Sequence, residues 1–345
     1  MKNKILLFSS LVLLLISIVL TVSVYASPAT KVIKWRMQTL WDPGSPESRL
    51  QERFVSRVKE LTGGRLELTL FPPGGLVPTM EKFDAVSKGV FELMNSYAGY
   101  WIGKVPELAF TASVPCGFTD AWQYEVWFWE KGGIKLERET WGKHNMYYIA
   151  PTIYEQEPMH SKVPIRSLAD IKGKKGRFVG MAAPVMAKLG VGVVSLPTAD
   201  VFPSLEKGVI DFADRGGLAA NWAVGLQDVT KYILLPGFHQ PTSVIFYAAN
   251  MDAWKALPED LKAILEAACR EASAILFTHI HAENIKALDK FKKHGIEVIY
   301  LSEADVTKAR EVAITVWEEY GAKSPMAKKV LESQKEYMRL LGLIK

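Results

Sequence analysis

The sequence predicts an α/β fold of two lobes, with one long helix that spans both of them. Three observations predict it. The chain has 345 residues, 49% hydrophobic and 23% charged, which is the composition of a folded protein of about two domains. Strand and helix patterns alternate in both halves of the chain. The longest helical pattern, residues 258–293, keeps a broad apolar face over its whole length.

The first alternation fills residues 32–96 and contains three strand patterns and two helix patterns. In chain order these are a strand at 32–41, a helix from Leu50 to Leu61 that ends at Gly63-Gly64, a strand at 65–71, a helix at 79–88 capped by Gly89, and a strand at 90–96. Because strands that alternate with helices usually pair in parallel, we expect a right-handed βαβαβ unit here.

The same alternation returns in residues 177–213. Its strand patterns are 177–179, 191–196 and 209–213, and its helix patterns are 183–189 and 201–207, each closed by glycine. One window also repeats in letters, since Phe83-x-Ala-x-x-Lys-Gly-Val matches Phe202-x-Ser-x-x-Lys-Gly-Val. These patterns indicate two similar α/β lobes.

The other patterns connect and cover the lobes. Residues 122–141 are helical and aromatic-rich, residues 145–154 form a strand that carries the chain across, and residues 303–341 form two helices broken near Ser324-Pro325. The predicted organisation is a signal peptide at 1–26, lobe I at 27–150 and about 242–275, lobe II at 151–241 and about 276–323, and a C-terminal helix at 324–345.

The N-terminus has the pattern of a secretory signal peptide. Lys2 and Lys4 precede an uncharged apolar run, residues 5–24, and a cleavage site is expected after Ala26. The run is also long enough to cross a bilayer, so an uncleaved anchor is the alternative. Either interpretation places the folded part outside the cytoplasm, and we expect a periplasmic protein.

Composition and motifs exclude several function classes. A formal net charge of +5, without a Lys/Arg block, argues against nucleic acid as a partner. Cys116 and Cys269 have no metal-type spacing and are expected to be buried free thiols. The sequence contains no nucleophile elbow, no Walker A motif and no dinucleotide-binding glycine motif. This favours ligand capture between lobes over catalysis.

Several segments resemble the solute-binding proteins of tripartite ATP-independent periplasmic (TRAP) transporters, the DctP family. They are Asp170-Ile-Lys-Gly-x-Lys-x-Arg177, Leu189-Gly190, Leu205-Glu-Lys-Gly-Val-Ile-Asp211 and Pro236-Gly-Phe-His-Gln-Pro241, with Trp41-x-x-Gly-Ser-Pro46 and Tyr100-Trp-x-Gly-Lys104 upstream. The resemblance implies a periplasmic-binding-protein-like fold, a small organic anion as ligand, a TRAP membrane permease as partner, and no enzymatic activity.

The resemblance also implies site residues. In that family an arginine binds the ligand carboxylate through two parallel N–H groups, and Arg177 stands at the matching position. Relatives hold a metal cation near this arginine with a Glu, the main chain near a Trp, and an upstream Gln. Here Gln240 replaces the Glu and Arg215 replaces the Trp. The upstream Gln falls at Glu155 or Gln156.

Two interpretations follow from these departures. In one, Arg215 replaces the metal and binds the ligand together with Arg177, with no cofactor needed. In the other, Glu155, Asp214 and Gln240 hold a Na⁺ or Ca²⁺ ion. We favour the metal-free interpretation, because a guanidinium beside a metal cation costs Coulomb energy in a closed pocket.

Other residues are expected to line the pocket by their position near strand ends. They are Trp41, Tyr100, Trp101, Trp222 and His239. Gly216-Gly217 would shorten one wall, which favours an aromatic or branched carboxylate over a three-carbon 2-oxo or 2-hydroxy acid. The rival function is an extracytoplasmic hydrolase or lyase with Glu155 or Asp214 as general base. A sensor that signals through a kinase is a third hypothesis. The amphipathic C-terminal helix permits a monomer or a swapped homodimer.

Overall fold

The computed structural model describes residues 31–345, so the predicted signal peptide and its cleavage lie outside the described residues. The strands in this range are β1 (Ile33–Gln38), β2 (Leu66–Phe71), β3 (Leu93–Tyr97), β4 (Met146–Tyr154), β5 (Met159–Ser161), β6 (Lys175–Arg177), β7 (Gly192–Val194), β8 (Phe212–Ala213), β9 (Tyr232–Leu235), β10 (Ser243–Asn250) and β11 (Glu297–Tyr300). They form two sheets.

Helices cover and connect the two sheets. The α-helices are α1 (Pro46–Leu61), α2 (Lys82–Ser87), α3 (Leu108–Ala112), α4 (Ala121–Glu130), α5 (Gly133–Gly142), α6 (Ala182–Lys188), α7 (Val201–Glu206), α8 (Leu218–Ala223), α9 (Leu226–Val229), α10 (Met251–Ala256), α11 (Glu259–Lys293), α12 (Glu303–Gly321) and α13 (Pro325–Leu340). Short 3₁₀ helices occupy Thr79–Glu81, Ala98–Trp101 and Thr198–Asp200. Within residues 31–345, no helix has both the length and the hydropathy needed to cross a membrane.

The first sheet has the strand order β2-β1-β3-β10-β4. Strands β2 and β3 pair in parallel with β1, which confirms the predicted βαβαβ unit. Strand β10 enters from much later in the chain and pairs antiparallel with both β3 and β4. The predicted helix at 122–141 is two helices, because the chain turns at Gly132 with a φ of 86°.

The second sheet has the strand order β11-β9-β5-β8-β6-β7. Strand β6 pairs in parallel with β7 and β8, as the repeated alternation predicts. The strands are shorter than predicted, since β7 covers three residues of 191–196 and β8 covers two residues of 209–213. The carboxyl ends of β1 and β3 in one sheet, and of β6 and β8 in the other, therefore carry the residues that meet between the lobes.

The long helix α11 spans both lobes, as predicted. Its 35 residues extend over about 52 Å at 1.5 Å per residue. Leu261 and Leu265 near its start pack in the core under the first sheet, whereas Ala287 and Phe291 pack under the second. The helix is thus a continuous support under both halves of the molecule.

The crossing between the sheets lies later than the predicted boundary at residue 150. Strand β4 stays in the first sheet to Tyr154, and the second sheet begins with β5 at Met159. Helix α13 packs on the preceding helix α12 and on helices α3 and α5 of the first lobe, and Val330 and Met338 are among its buried residues. The other lobe boundaries stay a prediction. Both cysteines are buried free thiols, as expected.

Candidate ligand-binding site

A buried ion pair joins Arg177 and Asp214 at the edge of the second sheet. Arg177 ends β6 and Asp214 follows its neighbour β8, so the pairing of these strands brings both residues together. The Arg177 Nη1 donates to Asp214 Oδ1 at 2.8 Å and to the Asp214 carbonyl oxygen at 3.0 Å. The two side chains are only 2% and 1% exposed. Each charge therefore depends on the other for compensation.

The remaining Arg177 donors are almost all committed. Nε and Nη2 both donate to the Leu196 carbonyl oxygen, at 2.9 and 2.8 Å. A guanidinium has five N–H groups, so one N–H of Nη2 is without a partner among the described residues. Two parallel N–H groups of Arg177 were expected to bind a ligand carboxylate. Only one N–H is unused, because Asp214 and the Leu196 carbonyl oxygen accept from the others.

His239 lies against this pair and is fully buried. Its Nε2 is 3.6 Å from Asp214 Oδ2. Both ring nitrogens and Asp214 Oδ2 lack hydrogen-bond partners within residues 31–345. Burial, followed by the charge of Arg177, lowers the pKa of His239 to about 3. The ring is therefore neutral near pH 7 and offers one donor and one acceptor to a ligand.

Glu157 belongs to the same cluster, although the sequence did not single it out. Ser243 Oγ donates to its Oε1 at 3.3 Å, and its main-chain N–H donates to the Gln240 carbonyl oxygen at 3.0 Å. Burial, followed by the nearby Asp214 carboxylate, raises the pKa of Glu157 to about 8. Burial also raises the pKa of Asp214 to about 6. The sequence signal that could have identified Glu157 was its position next to Gln156, in the segment that crosses between the sheets.

Gln240 and Tyr97 connect the cluster to the first lobe. The Tyr97 hydroxyl, at the end of β3, donates to Gln240 Oε1 at 3.2 Å. Gly180 of the second lobe has a φ of 61°, and a Cβ there would lie 2.8 Å from that hydroxyl oxygen. Only glycine allows this approach of the two lobes. Tyr100 packs edge-on against Tyr97, with ring centroids 5.6 Å apart.

Arg215 crosses from the second lobe to the first. Its Nη2 donates to the carboxylate of Asp42, which follows β1, and its Nε donates to the Thr198 carbonyl oxygen at 3.3 Å. The Arg215 side chain is 5% exposed and that of Asp42 is 25% exposed. The structure thus pairs Arg215 with the opposite lobe.

Trp41 lies at the same junction, as predicted. Its ring centroid is 5.2 Å from that of Tyr154, and its Nε1 is buried without a partner in the described part of the chain. The Tyr154 hydroxyl donates to Glu47 Oε1 at 2.6 Å and accepts from the Gly217 N–H at 3.1 Å. A Cβ on Gly217 would lie 2.6 Å from the Tyr154 hydroxyl oxygen. Tyr154 therefore occupies the space beside Gly217, one of the two glycines that were expected to leave room for a larger ligand.

Glu155 and Gln156 are not brought to this cluster. The Glu155 carboxylate is bound by helix α11, through His281 Nδ1 and through Asn284 Nδ2 at 2.7 Å. Gln156 is exposed, and its Oε1 accepts from the Gly237 N–H at 2.8 Å. Glu157, the next residue, lies near Asp214 instead.

Two predicted aromatic residues also lie elsewhere. Trp101 is in the core of the first lobe, where its Nε1 donates to the Met80 carbonyl oxygen at 2.9 Å. Trp222 packs on Phe291 of α11, with ring centroids 5.1 Å apart. Both serve the packing of their own lobe, because an aromatic residue after a strand fits the core as well as the cleft.

The metal site proposed from Glu155, Asp214 and Gln240 does not fit the structure. Glu155 is held by α11, Asp214 Oδ1 by Arg177, and the Gln240 side-chain oxygen by a tyrosine hydroxyl. Among the described residues, no three His, Cys, Asp or Glu side chains are arranged to hold a metal ion. A cation bound by these three side chains would therefore have to displace the partners of Glu155 and Gln240, whereas Asp214 Oδ2 has no partner among the described residues.

The family model DctP, described as bacterial extracellular solute-binding protein, family 7, matches residues 37–324. The chain belongs to this family. This confirms the predicted family and makes the chain a solute-binding protein rather than an enzyme. The predicted pair of lobes agrees with the fold of solved family members.

Three relatives are similar over most of their length. A monocarboxylate 2-oxoacid-binding periplasmic protein of Nostoc sp. is 30% identical over 308 residues, which cover 89% of this chain and 84% of that protein. A TRAP transporter solute-binding protein of Bordetella bronchiseptica is 30% identical and has a TM-score of 0.85, and the match covers 90% of this chain and 93% of that chain. That protein is described as a dimer with bound calcium and picolinate. One of Pseudoalteromonas atlantica, with sodium and pyruvate, is 26% identical, with a TM-score of 0.83 over 90% and 95% of the chains.

Proposed function

We propose that this protein is the exported receptor of a TRAP transporter. It captures a small organic acid in the cleft between its lobes and delivers it to a membrane permease, without chemical change. The observation that carries the proposal is the buried Arg177 with one unused N–H, in a chain of the solute-binding family. The ligand class is a 2-oxo or 2-hydroxy acid or an aromatic carboxylate.

Unused polar atoms in the cleft support a ligand of this kind. The free N–H of Arg177 and the Trp41 indole N–H are donors for carboxylate oxygens, and neutral His239 adds one donor. Buried polar groups that lack partners cost free energy, so a ligand that satisfies them is bound the more strongly. The Asp214 Oδ2 acceptor then suits a hydroxyl or another donor on the ligand, as in a 2-hydroxy acid.

We also propose that capture needs no resident metal ion. Glu155 and Gln240, two of the groups that were expected to bind one, are already engaged, and the positive guanidinium of Arg177 already holds Asp214 Oδ1. Because the relatives are described with calcium or sodium, the alternative is that an ion enters together with the ligand. Dependence of binding on metal therefore separates the two ideas.

The test is a titration of the purified protein with pyruvate, a 2-hydroxy acid, malonate and picolinate, with and without a chelator and in sodium-free buffer. We expect at least one acid to bind stoichiometrically without turnover. Arg177→Gln should abolish binding, whereas Arg166→Gln, at an arginine that is 61% exposed in the same lobe, should leave it unchanged. Full binding by Arg177→Gln would refute the assignment, and loss of binding in chelator would restore the metal.

The partner and the oligomeric state follow as parts of the same proposal. The surfaces of the two lobes beside the cleft would contact the permease, because their relative position reports the bound ligand. Helix α13 buries its apolar face within its own chain, on α12 and on helices of the first lobe. This packing is compatible with a monomer, and one relative is a dimer, so a monomer or homodimer stays the prediction.

A further inference from the structure

We propose that Arg215 controls closure of the cleft instead of binding the ligand. In this view its ion pair with Asp42 holds the second lobe against the first and sets the fraction of closed molecules. The inference rests on the proposed function of the cleft. It differs from the sequence-based expectation, in which Arg215 replaced a metal and contacted the acid.

The position of the pair supports this role. Asp42 follows β1 of the first sheet and Arg215 follows β8 of the second, so their contact joins the lobes directly. Arg215 also interacts electrostatically with Glu47, a second and fully buried carboxylate of the first lobe. An open cleft would separate Arg215 from both carboxylates. The attraction therefore exists only in the closed arrangement.

Two of the five N–H groups of Arg215 have partners in the described part of the chain. Nη2 is bound to Asp42, and Nε is bound to the carbonyl oxygen of Thr198. Residues of both lobes thus surround the guanidinium, and its burial depends on their contact.

Closure and ligand capture are joined by one peptide unit. Asp214 fixes Arg177, the residue proposed to bind the ligand, and the next residue, Arg215, binds Asp42 of the other lobe. A movement of this segment that releases Asp42 also moves the partner of the ligand arginine. Arg215 is therefore a positioning residue, which acts on ligand binding through the closed arrangement.

A positioning role predicts a particular pattern of affinities. When only the closed form binds tightly, the apparent dissociation constant equals the intrinsic one divided by the closed fraction. A variant that lowers the closed fraction weakens every ligand by the same factor. A residue that contacts the ligand instead weakens some acids more than others. These two patterns can be distinguished with the same set of proteins.

The experiment compares Asp42→Asn, Arg215→Gln and the exchanged pair Asp42→Arg/Arg215→Asp with the unmodified protein. The control is Glu92→Gln, which breaks an ion pair with Arg36 inside the first lobe. Affinities for pyruvate, malonate and picolinate are measured by calorimetry, and the radius of gyration of the ligand-free proteins by small-angle scattering. Each single variant should weaken all bound acids by a common factor of about ten and expand the ligand-free protein. The exchanged pair should recover part of both effects.

The opposite results would overturn the inference. An Arg215→Gln loss confined to one acid would make Arg215 a ligand contact, and unchanged affinity and size in both single variants would show that the pair does not hold the lobes. If the unmodified protein binds none of the acids, the proposed function fails. The scattering comparison still decides the role of the pair in that case, because it needs no ligand.

Discussion

Replacing Asp214 by asparagine should strongly destabilise the protein while barely changing its shape. Asparagine keeps an acceptor for Arg177 Nη1 but removes the negative charge. The guanidinium, 2% exposed, is then left as an uncompensated buried cation. Glu157 is the nearest carboxyl that can replace the lost charge, and its raised pKa makes its ionisation costly.

The size of the effect follows from the burial of the pair. Removing one member of a buried ion pair costs about 3–5 kcal/mol of stability. Asparagine keeps the acceptor for Arg177 Nη1, so the cost of Asp214→Asn should lie near the lower end of this range. At about 2 °C of melting temperature per kcal/mol for a large chain, the midpoint should fall by roughly 6 °C. Glu297→Gln, which breaks an exposed pair with Arg166 in the same lobe, should cost at most about 1 kcal/mol.

Thermal unfolding followed by circular dichroism, with a double variant, measures this directly. Arg177→Met/Asp214→Asn removes both charges and should be more stable than Asp214→Asn alone. A saturating organic acid should raise the midpoint of Asp214→Asn more than that of the unmodified protein, since its carboxylate supplies the missing anion. If Asp214→Asn melts within 2 °C of the unmodified protein, Arg177 is not compensated as described and the account of the site is wrong.

Three further predictions concern pH, lobe contact and the metal. Burial raises the pKa of Glu137 to about 7, so the folded state binds its proton more tightly than the unfolded state, and stability should fall as pH rises from about 4.5 to 7. Urea unfolding should show that Glu137→Gln removes about 3 kcal/mol of this pH-dependent loss in the free energy of unfolding. The exposed variant Glu130→Gln should leave the pH dependence unchanged. Gly180→Ala should push the Tyr97 hydroxyl away and weaken acid binding at least several-fold by calorimetry; unchanged affinity would show that the approach is dispensable. Affinity for the best acid should be equal in chelator and in calcium, and a tenfold difference would contradict the metal-free proposal.

The fold was largely predictable because glycines mark the ends of its helices. Gly89 and Gly208 follow helices α2 and α7 with φ values of 72° and 70°, and such positions are recognisable in a sequence. Strand β10 was not recognised, although its residues are all buried. Its partner strands β3 and β4 lie far away in the sequence. A continuous apolar run does not show which strands it pairs with.

The site was only partly predictable, and the reason is the distance between its parts. Arg177 and Asp214 were found through the family pattern. Asp42 was not assigned, because its partner Arg215 is 173 residues away and neither residue alone indicates the pair. The sequence analysis assigned Glu155 or Gln156 to the site instead of their neighbour Glu157. The direction of each side chain after β4 depends on where that strand ends, and the sequence does not show this.

The place of β10 in the first sheet has a consequence for how the molecule is made. Residues 243–250 lie between β3 and β4, so these two strands have no common neighbour until most of the chain has been synthesised. An N-terminal fragment that stops before Ser243 lacks the middle of its own sheet and cannot complete a stable lobe. The first sheet can therefore be completed only after residues 243–250 have been synthesised.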